Sequence, residues 1–337
     1  MKDNYRMKRL LKQLTVFLGM CIVQGAAAQS HYLFTYFTGN ETAQQQIFFA
    51  VSDNGLDFTP LNDGKPVIEA DTISVSGGIR DPHLLRAEDG TWLMVATDMD
   101  WQRGKWSNRG IIMMRSSDLI HWSHRAIHFP ARFAGETAAK ADAVWAPQVI
   151  FDPSMDKYMV YFSLHSPMDG PFPRDAVHYC YANADFTDLE GSPQLLFDFP
   201  TPTIDTDIVR DHEGLFHVFF NTWGNGQTGR RKFVAQSLQD WNSWKLIDGV
   251  MMPEGINMKS EGSSAYPLDD GKTWVLAYDC FANGVFHFCT TTDLEHFTLV
   301  RETKATGNFT PRHGSVATIT HDEWKRLIST FPSLSAQ

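Results

Sequence analysis

Basic residues are scarce in this chain of 337 residues: 29 Lys and Arg stand against 39 Asp and Glu, for a net charge of −10 at pH 7. A chain this acidic has no cationic footprint for nucleic acid and little attraction to an anionic membrane surface. Cysteine is equally thin, with four residues, Cys21, Cys180, Cys280 and Cys289, and no Cys/His spacing that reads as a zinc site. Long apolar runs are missing. The longest, Leu14 to Val23, falls short of the roughly 20 residues that cross a bilayer. Helical periodicity is nearly absent apart from a short stretch near Asp322 to Leu327, and no Pro/Gly/Ser-rich linker divides the chain. These absences leave a single, mostly β domain acting on something other than nucleic acid or lipid.

The opening segment reads as a secretory leader. Lys2, Arg6, Lys8, Arg9 and Lys12 precede the apolar run, and Ala26-Ala27-Ala28 supplies the small residues of a cleavage site after Ala28. A lipoprotein signal through Cys21 fits less well, because bulky Met20 precedes it. Residues 1–28 are therefore expected to be a removed signal peptide, with 29–337 forming one exported domain, periplasmic or extracellular. Removal takes away five basic residues and one acidic residue, which moves the net charge to about −14. Export permits disulfides. Cys280 and Cys289 flank a hairpin turn at Asn283-Gly284, whose two-residue register would set Cys280 opposite His287. Two free thiols are expected in preference to a bridge.

What the chain has in abundance is repetition. A small or hydroxyl residue, an Asp or Asn, and then an aromatic or Leu recur from Ala50 to Phe58, Arg115 to Trp122, Tyr181 to Phe186, Ala235 to Trp241 and Thr290 to Phe297. Strand-like text precedes each copy, as in Trp92-Leu93-Met94-Val95-Ala96-Thr97 and Tyr158-Met159-Val160-Tyr161-Phe162. Repeats at such intervals mark a propeller, so the expected fold is all-β, a five-bladed β-propeller of four-stranded sheets. Inner strands are expected at Ile79 to Leu85, Val144 to Ile150, Ile204 to Val209, Glu261 to Pro267 and, near the end, Pro311 to Val316. The last would join the N-terminal strands from His31 onward, so that the two ends of the chain close one blade. Asp118 and Asp293 recur where no pocket is expected and are read as structural.

Three carboxyl groups open inner strands: Asp81 in Arg-Asp-Pro, Asp205 in Ile-Asp-Thr-Asp, and Glu261 in Ser-Glu-Gly, 124 and then 56 residues apart. A repeated unit that brings one carboxyl per copy to a common point can build the acid/base pair that glycosidic bond cleavage requires. Taken singly, each has a bland reading, as a turn cap, a surface acid or a tie between blades. Asp207 lies two residues beyond Asp205 and competes with it for the third place.

The ordered set Arg80-Asp81-Pro82, Trp145-Ala146-Pro147, Ile204-Asp205, Glu261-Gly262 and Arg312-His313-Gly314 resembles glycoside hydrolase family 43, over nearly the whole chain beyond the leader. The resemblance implies that Asp81 is the general base, Glu261 the general acid and Asp205 the carboxylate that tunes it. Trp145, Arg312 and His313 are then the expected substrate contacts, with Trp101 and Trp223 as candidate pocket walls. It also implies inversion, with base and acid about 6.5–9.5 Å apart, exo action, and an α-L-arabinofuranoside, β-xyloside or galactofuranoside substrate on a plant-type oligo- or polysaccharide. No cofactor is required, although a structural calcium ion in the central channel is an option, and a monomer is expected. Two departures stand out. Residues 29–80 precede the base motif, and Gln148 stands where the family often has an acid. A retaining invertase-type propeller would show Asn-Asp-Pro-Asn and Glu-Cys motifs, which are absent. A non-catalytic sugar-binding propeller would lack one of the three carboxyls, and all are present.

Overall fold

The computed structural model describes residues 30–333 apart from 105–106, 224–228, 250 and 305; the leader expected over 1–28 lies outside the described residues. Among the described residues, twenty strands form five antiparallel four-stranded sheets. Strands β1 (His31–Tyr36), β2 (Phe48–Ser52) and β3 (Thr59–Pro60) come first in the chain. Blade I follows as β4 (Ile79–Arg86), β5 (Trp92–Asp98), β6 (Gly110–Ser116) and β7 (Ser123–His128). Blade II is β8 (Ala143–Asp152), β9 (Lys157–His165), β10 (Ala176–Ala182) and β11 (Leu189–Phe197). Blade III is β12 (Thr203–Arg210), β13 (Phe216–Thr222), β14 (Gly229–Ala235) and β15 (Lys245–Ile247). Blade IV is β16 (Glu261–Pro267), β17 (Trp274–Cys280), β18 (Val285–Thr291) and β19 (Thr298–Lys304). Finally β20 (Gly314–Ile319) pairs with β1, Phe34 opposite Val316, and completes blade V in the order β20-β1-β2-β3. The fifth inner strand thus starts three residues later than Pro311, at Gly314. The two ends of the described chain do share one sheet.

The strands read as continuous apolar runs because both faces of each blade are buried. Along β1, Leu33 packs toward blade I while Tyr32, Phe34 and Tyr36 pack toward blade IV. Along β5, Leu93 and Val95 face blade II while Trp92, Met94 and Ala96 face blade V. This is the period-two alternation of a strand, with an apolar seam on either side. Five such clusters fill the five seams between neighbouring blades. The helix His321–Thr330 seals blade V against blade I. Glu323 receives both the Arg86 guanidinium and the Trp92 indole N–H, and Leu327 is buried. Among the described residues no helix is long and apolar enough to cross a membrane.

The repeated end-of-unit pattern is the turn between the third and fourth strands. Ser116 Oγ accepts the N–H groups of Asp118 and Leu119, and Asp118 Oδ1 accepts those of Ile120 and His121. Thr291 and Asp293 repeat these bonds. In blade V the carboxamide of Asn54, not Asp53, plays the acidic part. The turn forces Leu119, Phe186 and Leu294 to positive φ and buries all three. The hairpin between β17 and β18 departs from expectation. Its loop has four residues, Phe281 to Gly284, with Asn283 N–H donating to the Cys280 carbonyl. Cys280 therefore faces Val285 and Cys289 faces Leu276, and both thiols are buried and free.

Candidate active site

The inner strands do not pair with each other through backbone bonds; their free edges are satisfied by side chains from the neighbouring blade. Ser315 accepts the N–H of Leu84, His83 that of Val149, Tyr161 that of Ile208, Asp207 that of Ala265, and Ser264 that of Val316. Buried N–H groups need such partners. The set forms a closed ring around the axis, and Asp207 is one of its members, fully engaged in holding blade IV. That separates it from Asp205.

Two residues before the ring positions of β4, β12 and β16, and before Gln148 of β8, whose side chain accepts the Tyr161 hydroxyl, the strand does something else. On β4, β8, β12 and β16 the pairing register slips by a bulge, between Arg80 and His83, Trp145 and Gln148, Ile204 and Asp207, and Glu261 and Ser263. The slip places Asp81, Ala146, Asp205 and Gly262 at φ of 51, 43, 52 and 58°. A bulge of this kind re-aims a side chain. Counting back two residues from Ser315 puts His313 at the corresponding place in blade V. The top of the channel therefore carries two layers. The lower is Asp81, Ala146, Asp205, Gly262 and His313. The upper, one residue earlier, is Arg80, Trp145, Ile204, Glu261 and Arg312.

This layering corrects one expectation. Asp81 and Asp205 occupy equivalent positions, but Glu261 stands one residue earlier, in the upper layer. The cause is steric, because a Cβ at position 262 would collide with the His313 ring, so blade IV has glycine there. Gly262→Ala adds that clash to the strain of a positive φ, a cost of about 1–3 kcal/mol. We expect a lower melting temperature and a displaced Glu261, checked by thermal denaturation and turnover of the same sample. A variant as active and stable as the parent would show that the glycine is not required.

His313 is the electrostatic centre. Its Nδ1 lies 3.4 Å from Asp81 Oδ1 and 3.7 Å from Asp205 Oδ1. Burial alone would lower its pKa, but Asp205, Asp81 and Glu261 outweigh burial and raise it to about 9. Asp81 is also buried, which opposes its charge. The His313 imidazolium, Arg80 and the Thr97 hydroxyl, which donates to Asp81 Oδ2 at 2.8 Å, nevertheless hold its carboxyl below the ordinary value. Glu261 moves the other way. Burial first, then Asp205, push it up to about 7 against the pull of Arg312. One carboxyl is thus kept charged and the other is set to keep its proton, the division of labour of an acid/base pair. Glu261 is also the more open of the two, its side chain 29% exposed against 9% for Asp81.

The sign of the pH effect on stability follows. His313 binds its proton more tightly when folded, so its contribution is complete below about pH 6.5 and disappears as pH rises through about 9. The loss is on the order of 3 kcal/mol. Melting temperature should fall across that window in the wild type and change much less in His313→Gln; parallel curves would contradict the assignment.

The remaining expected residues fall as follows. Trp145 is half-buried in the upper layer, and Trp101 lies 5.9 Å from the Arg80 guanidinium carbon. Trp223 is 46% exposed just beyond β13. Arg312 donates from Nη2 to Glu261 Oε1 at 2.6 Å and from Nε to Asp279. Asp205 accepts the Gly262 N–H at 2.9 Å and so fixes the backbone beside the acid. The sequence motifs include Arg80 without giving it a role, and Phe37 and Asp279 lie outside them. The Phe37 ring centroid lies 4.4 and 5.4 Å from the guanidinium carbons of Arg80 and Arg312. Arg80 was findable, since it precedes Asp81 as Glu261 precedes Gly262. Phe37 and Asp279 carry no motif. As for calcium, no group of three or more His, Cys, Asp or Glu among the described residues could hold a metal ion.

Comparison with known proteins gives the family. Residues 28–325 match the family model for a probable glycosyl hydrolase domain related to family 43. An α-L-arabinofuranosidase of Bifidobacterium longum subsp. longum is 26% identical over 272 residues, covering 68% of this chain and 25% of that protein, so the chain spans about a quarter of its relative's length. The α-L-arabinofuranosidase of Lactobacillus brevis superposes with a TM-score of 0.52 at 15% identity, covering 85% of this chain and 90% of that one. A family 43 protein from Bacillus licheniformis gives 0.54 at 14% identity, with 84% and 54% covered. These likenesses share the propeller, and the family match spans both layers of the channel mouth. The chain belongs to the glycoside hydrolases related to family 43.

Proposed function

We propose that the protein is an exported, inverting, exo-acting glycosidase that removes α-L-arabinofuranosyl units from plant-type oligo- or polysaccharides. The observation that carries this reading is the opposed setting of two carboxyls on bulged inner strands, Asp81 below its ordinary pKa and Glu261 raised to about 7. Asp81 takes a proton from a water, whose oxygen bonds to the anomeric carbon. The glycosidic C–O bond breaks as Glu261 passes its proton to the leaving oxygen. Asp205 keeps Glu261 in place through the Gly262 N–H and disfavours its charge. Arg80, Arg312 and Trp145, in the upper layer, are placed to contact the sugar. The choice of arabinofuranose rests on the Bifidobacterium relative's name, and export on the basic, apolar and Ala-rich opening.

A panel of 4-nitrophenyl glycosides tests this: α-L-arabinofuranoside, β-D-xyloside, β-D-galactofuranoside and β-D-galactoside. Release from the first alone is expected. Release from another names a different sugar within the same chemistry. Silence on the panel and on intact arabinan and arabinoxylan would favour a sugar-binding propeller without catalysis.

A further inference from the structure

Glu261 has a difficulty that the three-carboxylate reading does not resolve. It must hold a proton, yet Arg312 sits on it at 2.6 Å, and a cation that close favours the charged form of a carboxyl. The same guanidinium, however, is shared. Its Nη2 serves Glu261 while its Nε serves Asp279, the residue directly opposite Glu261 in the β16–β17 register. Asp279's side chain is 2% exposed and cannot meet a substrate. Arg312 is held between the Phe37 and Phe281 rings, 5.4 and 5.5 Å from its guanidinium carbon, and its own N–H is tied to the Phe37 carbonyl at 2.8 Å. It is therefore not free to swing wholly onto Glu261 while Asp279 holds Nε.

We propose that Asp279 is a positioning residue which, by holding Arg312 through Nε, keeps the guanidinium from stripping the proton from Glu261. The inference rests on the reading of Glu261 as general acid. Other charged groups act on Glu261: Arg80 from β4, Asp205 from β12 and His313 before β20, with Asp81 beside His313 and Arg230 of β14 donating to the neighbouring Gly262 carbonyl. Among the carboxylates, Asp279 is the one that shares a cation with Glu261 by direct contact. Burial opposes charge on Asp279 and raises it to about 6 despite Arg312, while burial and Asp205 raise Glu261 to about 7.

The test is direct titration of Glu261 in protein labelled with 13C at glutamate carboxyls, the signal assigned by its loss in Glu261→Gln. In Asp279→Ala, which has no acceptor for Arg312 Nε, the Glu261 midpoint should fall by at least one pH unit. In Arg312→Gln it should rise, and adding Asp279→Ala to Arg312→Gln should then shift it much less. An unchanged or raised midpoint in Asp279→Ala overturns the proposal. So does an equal shift in both backgrounds, which would mean that Asp279 does not act through Arg312. If Asp279→Ala does not fold, a midpoint in Arg312→Gln that fails to rise overturns it. On an active glycoside, the alkaline limb of kcat/KM should move down with the titration while the rate below the limb is kept. Absence of any hydrolysis by the wild type would overturn the functional reading alone, since the titration still decides the part played by Asp279.

Discussion

Asp81→Asn should lower turnover by about a hundred- to ten-thousand-fold, the span that a positioned general base supplies, while the protein melts as a single folded species. The substitution is nearly isosteric. The carboxamide oxygen can still accept the Thr97 hydroxyl, which itself takes the Ala146 N–H at 3.0 Å, so the link between blades I and II survives. What disappears is the charge proposed to take the proton of the attacking water, and half of the pairing of His313. KM should change little, because Arg80, Trp145 and Arg312, the proposed sugar contacts, are untouched. A variant that kept wild-type turnover would remove Asp81 from the mechanism, and one that failed to fold would make its role structural.

The second large effect is conditional on the leaving group. Glu261→Gln should cost about a hundred- to ten-thousand-fold on natural glycosides, whose alkoxide leaving groups must be protonated. It should cost little on dinitrophenyl glycosides, whose leaving groups depart unaided. Under the proposed mechanism, activity requires Asp81 ionised and Glu261 protonated. The rate profile should therefore be bell-shaped, with an alkaline limb near pH 7 that vanishes in Glu261→Gln. Equal losses on good and poor leaving groups would show that Glu261 binds substrate and donates no proton.

Much of this was legible in the sequence because it depends on local rules. Apolar runs bounded by polar turns, the Ser-x-Asp turn at Ser116 and Asp118, and a strand after Arg312 able to meet His31 all follow from period-two burial and turn chemistry. The bulges were not legible. Asp81, Ala146 and Asp205 adopt positive φ without being glycine, and Asp-Pro or Ala-Pro in a strand carries no signal of that kind. Without the bulge, Asp205 and Asp207 look like equals on one face. With it, Asp207 joins the ring that supports Ala265 while Asp205 turns toward His313. The same blindness set Glu261 in step with Asp81, and it hid Asp279, whose role comes from a guanidinium delivered by another blade. Interactions between blades belong to the closed ring, and no single repeat encodes them.

The most direct test of the central claim, that Asp81 activates water across the sugar from Glu261, is the anomeric configuration of the first-formed product. It can be followed by 1H NMR within seconds of adding enzyme to whichever glycoside the panel identifies. The account predicts a product inverted at the anomeric carbon, which mutarotates afterwards. A product of retained configuration would make Asp81 a nucleophile that forms a covalent glycosyl-enzyme, and the assignment of a water-activating base would be wrong.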